Sequence, residues 1–399
     1  MLRIAIVLGL LASVGPFAID MYLPALPAIA EDLGSSVAAT QTTLTAFFIA
    51  FGVSQLVYGP WSDQSGRRPP LYVGLAIFIA GSIGCMVSPS VEWLAASRFL
   101  QGIGGAVVMV IPRAIIRDLH TGNEATRLMA MIMLVISVSP MLAPLAGSLL
   151  ILVSGWRIIF LVLACAAVIS LFMTRFMLEE TLAPEHRVPF NVRSLLNGSR
   201  TLLTDGTFMG LTFVGGFGMA SFFVFIASAS FVYTGQFGLT PLGFSLAFAI
   251  NAIGFFSASQ LAAPLGARIG MARMVTLATA GFAAFTVILL ALVLLGYVSL
   301  ILLVAMLFLA NACLGLVIPT TMVMALDEHG DIAGLASSLG GTLQMLAGGI
   351  MITAAAPFFD GTVLPMVTAI AICGVAAFIV SRLVLARMDR QRAGAQPTV

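Results

Sequence analysis

Two ionisable side chains, Asp20 and Arg98, interrupt long apolar stretches of the chain and could carry proton chemistry. If these stretches are helices that cross a membrane, each side chain lies about seven residues from the outer end of its helix, or roughly 10 Å below the surface at 1.5 Å per residue. A carboxylate at that depth is costly unless it is paired or protonated, so it is a functional candidate by default. Asp20 is therefore the predicted proton-exchanging group, because desolvation favours its neutral form.

Arg98 is the predicted partner of Asp20, since the two side chains would share one depth. We expect Asp20 to alternate between proton-bound and substrate-bound states while Arg98 responds to its charge. Two alternatives stay open. The two could form a permanent ion pair that only locks two helices together, or Asp20 could lie in a wet outer vestibule and titrate as it does in water.

The elements that must position these groups are membrane helices. Hydrophobic residues make up 60% of the 399 residues and charged residues 9%, and the mean hydropathy is +1.11. An apolar stretch of about 20 residues suffices to cross roughly 30 Å of hydrocarbon. The sequence predicts an all-α membrane protein with twelve transmembrane helices, at residues 4–28, 40–60, 70–88, 91–112, 127–152, 157–177, 207–233, 241–264, 273–296, 299–325, 332–356 and 362–386.

The positive charges indicate the orientation of these spans. All 18 basic residues are arginines, and a cytoplasmic N-terminus places 16 of them at or near the cytoplasmic face, with Arg98 and Arg157 as the exceptions. Because positive charge concentrates in cytoplasmic loops, both termini are predicted to be cytoplasmic. No basic surface interleaved with aromatic residues lies outside the spans, so we expect no nucleic-acid partner.

Chemistry that needs clustered ligands is not expected. The four cysteines lie in four different spans, and the three histidines fall in predicted loops. Such spacing indicates no metal site, and no hydrolase or zinc-protease motif occurs. We therefore predict that the protein is not an enzyme and uses no cofactor, with the proton as its coupling ion.

A ten-residue segment with three charges, residues 59–68, separates the second and third predicted spans. Its two glycines permit close backbone approach, and its charges can interact with neighbouring helix ends. We predict a tight turn that holds packed helices in one of two arrangements. A solvated turn that only sets the topology is the alternative. The candidate gate residues are Gly59, Asp63, Gly66, Arg67 and Arg68.

The chain divides in the middle. Residues 178–206 form its longest polar stretch, and six predicted spans lie on each side. We predict an N-terminal six-helix bundle at residues 1–177, a cytoplasmic linker at 178–206 and a C-terminal six-helix bundle at 207–399. A weak echo of the first hinge follows Gln260 but lacks the acidic residue. This internal repeat favours alternating access, in which two bundles rock about a central site.

Four segments resemble the motifs of one transporter superfamily and of a family within it. The hinge at residues 59–68 is similar to the signature between the second and third helices of the major facilitator superfamily. Residues 98–104 (RFLQGIG) are similar to the proton-linked motif of that superfamily. Residues 17–27 (FAIDMYLPALP) and 218–225 (GMASFFVF) resemble motifs of the bicyclomycin and chloramphenicol/florfenicol resistance (Bcr/CflA) family.

The fifth predicted span carries a further motif. Pro140, Pro144 and Gly147 are similar to the antiporter motif of the same transporters. Ala143 and Ser148 stand where the family often has glycine. The resemblance implies that this span seals the protein against proton leak, while plain helix packing is the alternative.

The resemblance implies a major facilitator fold and a proton-coupled multidrug efflux antiporter of the bacterial inner membrane. It implies small amphipathic substrates of the amphenicol or bicyclomycin type. The implied partners are the drug, the proton and membrane lipid, and we expect a monomer. It also implies that Asp63 contacts the start of span eleven near Ile332, although Asp331 could cap that helix by itself.

Polar residues on the predicted spans are few, which suits a pocket with apolar walls and a small number of orienting groups. The aromatic candidates could instead face lipid or pack between helices. A proton-linked uptake symporter for a small metabolite is the alternative function, because it would use the same fold and carboxylate. The candidate substrate-binding residues are Tyr22, Gln41, Phe222, Phe225, Tyr233, Asn251, Asn311 and Gln344.

Overall fold

The computed structural model describes residues 2–120, 122–187, 192–327, 329 and 332–395. Within these ranges every regular element is a helix. The α-helices are α1 Leu2–Asp20, α2 Leu26–Asp32, α3 Val37–Ser65, α4 Arg68–Met86, α5 Val91–Gly105, α6 Val107–Leu119, α7 Gly122–Ser154, α8 Arg157–Met177, α9 Val192–Thr204, α10 Gly206–Phe231, α11 Pro241–Ile269, α12 Met271–Leu294, α13 Leu300–Leu326, α14 Ala333–Ala355 and α15 Val363–Ala395.

Twelve helical segments of the described chain are long and apolar enough to cross a membrane. The all-α class and the predicted number of spans are thus confirmed. Most of these segments extend beyond the predicted bounds, as α3 does by continuing to Ser65. Residues 59–65 are therefore helical, and the predicted ten-residue turn was wrong in extent, because only Gly66 and Arg67 separate α3 from α4.

Two of the spans are interrupted. The sequence predicts one helix at residues 4–28, but α1 ends at Asp20 and is followed by a turn, a 3-10 segment at Leu23–Ala25 and α2. Proline cannot donate a backbone hydrogen bond and disfavours a helical residue before it, so Pro24 accounts for the interruption. The fourth span has a similar joint at Ala106, between α5 and α6.

Two compact units make up the chain. The first comprises Met1–Asn191 and Ser230–Ala249, and the second comprises Val192–Ala229 and Ile250–Val399. The linker predicted at residues 178–206 contains a 3-10 turn at Pro184–His186 and then α9. Its residues 188–191 lie outside the described ranges, as do Glu328 and Asp331 beside the start of α14.

Glycines bring the helix backbones of the first unit into contact. A Cβ on Gly102 would lie 2.5 Å from the carbonyl oxygen of Phe47 on α3, and a Cβ on Gly104 would lie 2.4 Å from that of Gly74 on α4. No side chain fits at such distances, so α5 can pack against α3 and α4 only with glycine at both positions. These two glycines therefore serve helix packing.

An ion pair explains one of the two arginines that depart from the predicted charge distribution. Arg157 at the start of α8 lies 2.7 Å from Asp32 at the end of α2 and donates to the carbonyl oxygen of Ser88. The indole of Trp156 also donates to Asp32, and the guanidinium of Arg157 stacks over its ring. Arg157 thus joins the ends of three segments of the first unit.

Candidate functional site

The guanidinium of Arg98 is completely buried between two aromatic rings. Its central carbon lies 4.5 Å from the ring centroid of Tyr22 and 4.3 Å from that of Phe47. A cation over an aromatic face is attracted by the ring quadrupole, and the attraction strengthens when water is excluded. The hydroxyl of Tyr22 is 2.7 Å from that of Thr43, which fixes the orientation of the ring.

Two acceptors hold one nitrogen of Arg98. Its Nη1 donates to the backbone oxygen of Ala18 at 3.0 Å and to Oε1 of Gln101 at 2.5 Å. Gln101 lies one turn further along the same face of α5 and donates in turn to Ser82. Among the described residues, the Nε and Nη2 atoms of Arg98 have no hydrogen-bond partner. Arg98 is thus a buried cation held by neutral groups.

The predicted contact between Asp20 and Arg98 was wrong. Among the described residues, no nitrogen of Arg98 lies within 4.0 Å of a carboxylate oxygen of Asp20. Asp20 is 5% exposed, which also argues against a wet vestibule. A shared depth does not fix the direction in which two side chains point around their helices, and Arg98 takes the nearer backbone oxygen of Ala18.

The interruption of the first span explains the separate surroundings of the two groups. The last carbonyl groups of a helix have no intrahelical partner and together carry a partial negative charge. Ala18 belongs to this last turn of α1, and its oxygen binds the cation of Arg98. The same helix end disfavours a second negative charge on Asp20, the residue at which α1 ends.

The hinge after α3 is built around Arg67. Its guanidinium contacts Asp63 at 2.5 Å, Asp118 of α6 at 2.7 Å and the hydroxyl of Ser62 at 2.8 Å. Burial alone would lower the pKa of Arg67, but the hydrogen bonds that it donates to Asp118 and Asp63 outweigh burial and raise it. Three elements of the first unit are thereby tied at one cation.

Glu180, which follows α8, closes the hinge from the other side. Its carboxylate accepts hydrogen bonds from the backbone nitrogens of Arg67 at 2.8 Å and Arg68 at 3.1 Å, at the start of α4. A carboxylate at this position interacts favourably with the positive end of a helix. Gly66 has φ +95°, and a Cβ there would lie 2.6 Å from the Glu180 carboxylate. The left-handed backbone conformation favours glycine at position 66, and a larger residue would have to displace the carboxylate of Glu180.

The remaining hinge residues have simpler surroundings. Arg68 donates to the hydroxyl of Tyr72 on its own helix and to the backbone oxygen of Arg175. A Cβ on Gly59 would meet only a methyl group of Val110, at 4.0 Å. The close backbone approach predicted for Gly59 was therefore wrong. The contact predicted between Asp63 and span eleven stays a prediction.

The antiporter-like segment packs against the interruption of the first span. Helix α7 continues through Pro140 and Pro144. A Cβ on Gly147 would overlap the backbone oxygen of Met21, next to Asp20. Ser148, which replaces a common glycine, donates to the backbone oxygen of Pro241 at 2.8 Å and lies 2.7 Å from the hydroxyl of Ser245. The departure from the family pattern thus creates a polar contact inside the first unit.

Three predicted substrate-binding residues belong to the first unit and are buried there. Tyr22 is 0% exposed, and its hydroxyl and ring are both engaged, so it supports Arg98 and does not line an open space. Gln41 is buried on α3. Tyr233 is buried in a short π-helical turn and packs against Phe244.

The other five candidates belong to the second unit. Asn311 on α13 donates to Asn251 on α11 across 3.5 Å, which is a long hydrogen bond. Phe222 is half-buried and stacks on Phe255 with ring centroids 5.9 Å apart. Phe225 and Gln344 are buried, and a Cβ on Gly215 would lie 2.6 Å from the amide nitrogen of Gln344. The structure brings the two asparagines together.

The sequence analysis did not predict several residues of the site. Gln101 could have been predicted, because it follows Arg98 by one helical turn within the proton-linked motif. Asp118 carried a weaker one, as a carboxylate at the end of the same span. Phe47 and Glu180 carried none, since nothing in the sequence indicates which phenylalanine meets Arg98 or which linker carboxylate meets α4. Within the described residues, no group of histidine, cysteine and carboxylate side chains could hold a metal ion.

Comparison with known proteins agrees with this architecture. Residues 8–352 match the family model of the Major Facilitator Superfamily. The solved structure of a D-xylose-proton symporter superposes with a TM-score of 0.75, covering 95% of this chain and 97% of that one. Its sequence identity is 16%, so this likeness concerns the fold alone.

Curated relatives resemble the chain along most of its length. An uncharacterised transporter of this superfamily from Bacillus subtilis is 35% identical over 352 residues, covering 88% of this chain and 87% of its own. A bicyclomycin resistance protein homologue from Haemophilus influenzae is 29% identical, covering 96% of each chain. A chloramphenicol resistance protein from Pseudomonas aeruginosa is 36% identical over 61% of this chain and 57% of its own. The chain belongs to the major facilitator superfamily, among its multi-pass membrane transporters similar to the bicyclomycin and chloramphenicol resistance proteins.

Proposed function

We propose that the chain exports small amphipathic drugs in exchange for protons by alternating access. The observation that carries the proposal is Asp20, a buried carboxyl group without an ion-pair partner among the described side chains. Such a group can gain and lose a proton without breaking a salt bridge. Arg98 supplies a fixed positive charge near the same helix end, because neutral partners hold it whatever the charge of Asp20.

The proposed substrates are compounds of the amphenicol or bicyclomycin type. The relatives named for resistance to bicyclomycin and chloramphenicol support this class. The second unit supports it as well, since Asn251 and Asn311 form a buried polar pair there. One turn after Asn251 on α11, Phe255 stacks on Phe222. A few polar groups within apolar walls orient an amphipathic ligand, whereas a sugar would need many more hydrogen bonds.

One proton per drug is energetically sufficient. A potential of 100 mV supplies about 2.3 kcal/mol per charge, which corresponds to a concentration ratio of about fiftyfold for a neutral drug before any pH gradient is added. The arginine distribution supports an orientation with both termini in the cytoplasm. Relatives from Haemophilus influenzae and Pseudomonas aeruginosa support a location in the bacterial inner membrane. The proton, the drug and lipid are the proposed partners of a monomer.

Purified protein in liposomes tests the proposal. An imposed pH gradient should drive chloramphenicol against its concentration gradient, and drug added on one side should move protons in the opposite direction. We expect Asp20→Asn to abolish both movements and Asp20→Glu to retain part of them. Asp32→Asn is the matched control, because Asp32 is a carboxylate of the same span that is already paired with Arg157.

The direction of proton movement separates the alternatives. Full proton-driven drug transport by Asp20→Asn would exclude Asp20 as the coupling group. Movement of proton and substrate in the same direction would identify an uptake symporter.

A further inference from the structure

A third charge lies deep in the spans of the first unit. Within its first six spans, only Asp20, Arg98 and Arg113 are charged and lie more than one helical turn from a span end. Arg113 is on α6, six residues before Leu119. At 1.5 Å per residue its Cα lies about 9 Å inside the end of that helix.

The neighbours of Arg113 show where its side chain is directed. One turn earlier on α6, Met109 faces Gly15 of α1 and Val110 faces Gly59 of α3. Around the axis of α6, position 113 lies between positions 109 and 110. The side chain of Arg113 therefore points toward the gap between α1 and α3. Arg113 is exposed. Its side chain therefore lies on the accessible face of α6, beside the gap between α1 and α3.

Arg113 has no partner in the described part of the chain. It forms no ion pair, hydrogen bond or ring contact there, unlike Arg67, Arg98 and Arg157. An arginine at membrane depth is tolerated where it faces a bundle interior or a watery cavity, and there it marks a substrate or ion pathway. Arg117, one turn closer to the helix end and also exposed, fits an ordinary topology anchor.

We propose that Arg113 determines substrate charge, favouring neutral or anionic amphiphiles with an electron-rich group and rejecting cations. This inference rests on the proposed drug export. When Asp20 is protonated, the charged groups that remain deep in the first six spans are Arg98 and Arg113. Their positive electrostatic potential disfavours binding of a cationic drug. A neutral compound with carbonyl, nitro or chlorinated groups instead gains a donor from Arg113.

The size of the effect depends on the distance between the charge of Arg113 and the bound ligand. At an effective dielectric constant of 20, a unit charge about 12 Å from a monovalent cation changes its binding about tenfold. Removing Arg113 should therefore improve the binding of a cation about tenfold. A neutral amphenicol should lose affinity by a smaller factor, because it loses one hydrogen bond at most.

The test compares Arg113→Gln, Arg113→Lys and Arg117→Gln in liposomes. The probes are chloramphenicol, which is neutral, and tetraphenylphosphonium, which is a permanent cation. We expect Arg113→Gln to shift the ratio of transport rates about tenfold or more toward the cation. Arg113→Lys keeps the charge and should keep the selectivity, and Arg117→Gln should resemble the unaltered protein.

The outcomes keep this inference separate from the proposed function. If the unaltered protein moves neither probe against a pH gradient, the proposed drug export fails. If it transports chloramphenicol and Arg113→Gln has the same selectivity as Arg117→Gln, Arg113 is a topology anchor and the inference is wrong. Should Arg113→Gln fail to fold, loss of selection by Arg113→Lys would also overturn it, because charge would then not be the cause.

Discussion

Replacing Gly66 with alanine should break the contact between the hinge and Glu180. The left-handed backbone at φ +95° alone costs about 1–3 kcal/mol for a residue with a Cβ. The new methyl group would also lie 2.6 Å from Oε2 of Glu180, so the carboxylate must move away from the backbone nitrogens of Arg67 and Arg68. Hydrogen bonds to a charged group contribute about 1.5–3 kcal/mol each, and Glu180 is half-exposed, so we expect an additional loss of about 2 kcal/mol.

Gly270, the residue between α11 and α12, provides a matched control. It has φ +86°, but a Cβ there would meet no atom within 4 Å. Gly270→Ala should therefore carry the backbone cost alone. The difference between the two variants isolates the contact with Glu180.

The comparison can be made by thermal unfolding in detergent and by hydrogen exchange. We expect Gly66→Ala to lower the melting temperature further than Gly270→Ala and to expose the amides of Arg67 and Arg68 to exchange. In a Glu180→Ala background the excess cost of Gly66→Ala should disappear, since the two sites then no longer interact. Equal losses for both glycines, or an unchanged excess without Glu180, would show that the contact with Glu180 does not cause the additional loss.

Two further perturbations address the buried polar contacts. Gln101→Leu removes a hydrogen-bond acceptor from Arg98, a buried cation with two unsatisfied nitrogens. Because a buried charge then loses a partner, we expect the free energy of unfolding to fall by about 2 kcal/mol or more and transport to be impaired. Normal transport would show that Arg98 does not need this acceptor. Ser148→Ala removes the hydrogen bonds to Pro241 and Ser245, at a cost of about 1 kcal/mol. Ser245→Ala in the same background should add little, and independent, fully additive losses would contradict the shared contact.

Hydropathy made the spans predictable because a membrane leaves few other ways to bury the backbone. The glycines of α5 were predictable for a related reason, since small residues mark close helix contacts. The interruption at Asp20 was signalled by Pro24 and Pro27, yet the apolar run continues through both, and the hydrophobic pattern alone favours one helix. The backbone constraints of proline interrupt the helix in spite of that hydrophobic pattern.

The pairing of charges was the least predictable part. Depth places a side chain along the membrane normal and leaves its direction around the helix open, so Asp20 and Arg98 could share a level without touching. Arg98 instead contacts two aromatic rings and a backbone oxygen. The chain has 28 phenylalanines and a backbone oxygen at every residue, so neither kind of partner is marked in the sequence. Glu180 is one of several acidic residues in the linker, and only the folded chain identifies it as the partner of α4.

The position of Glu180 has a consequence for biosynthesis. The carboxylate that caps the start of α4 lies 113 residues further along the chain. At about 5–20 residues per second, the ribosome needs about 6–23 s after making Arg67 before it makes Glu180. The second and third helices must therefore enter the membrane with their connection unfinished. The contact that closes the hinge after α3 therefore forms only when almost all of the first six spans have been synthesised.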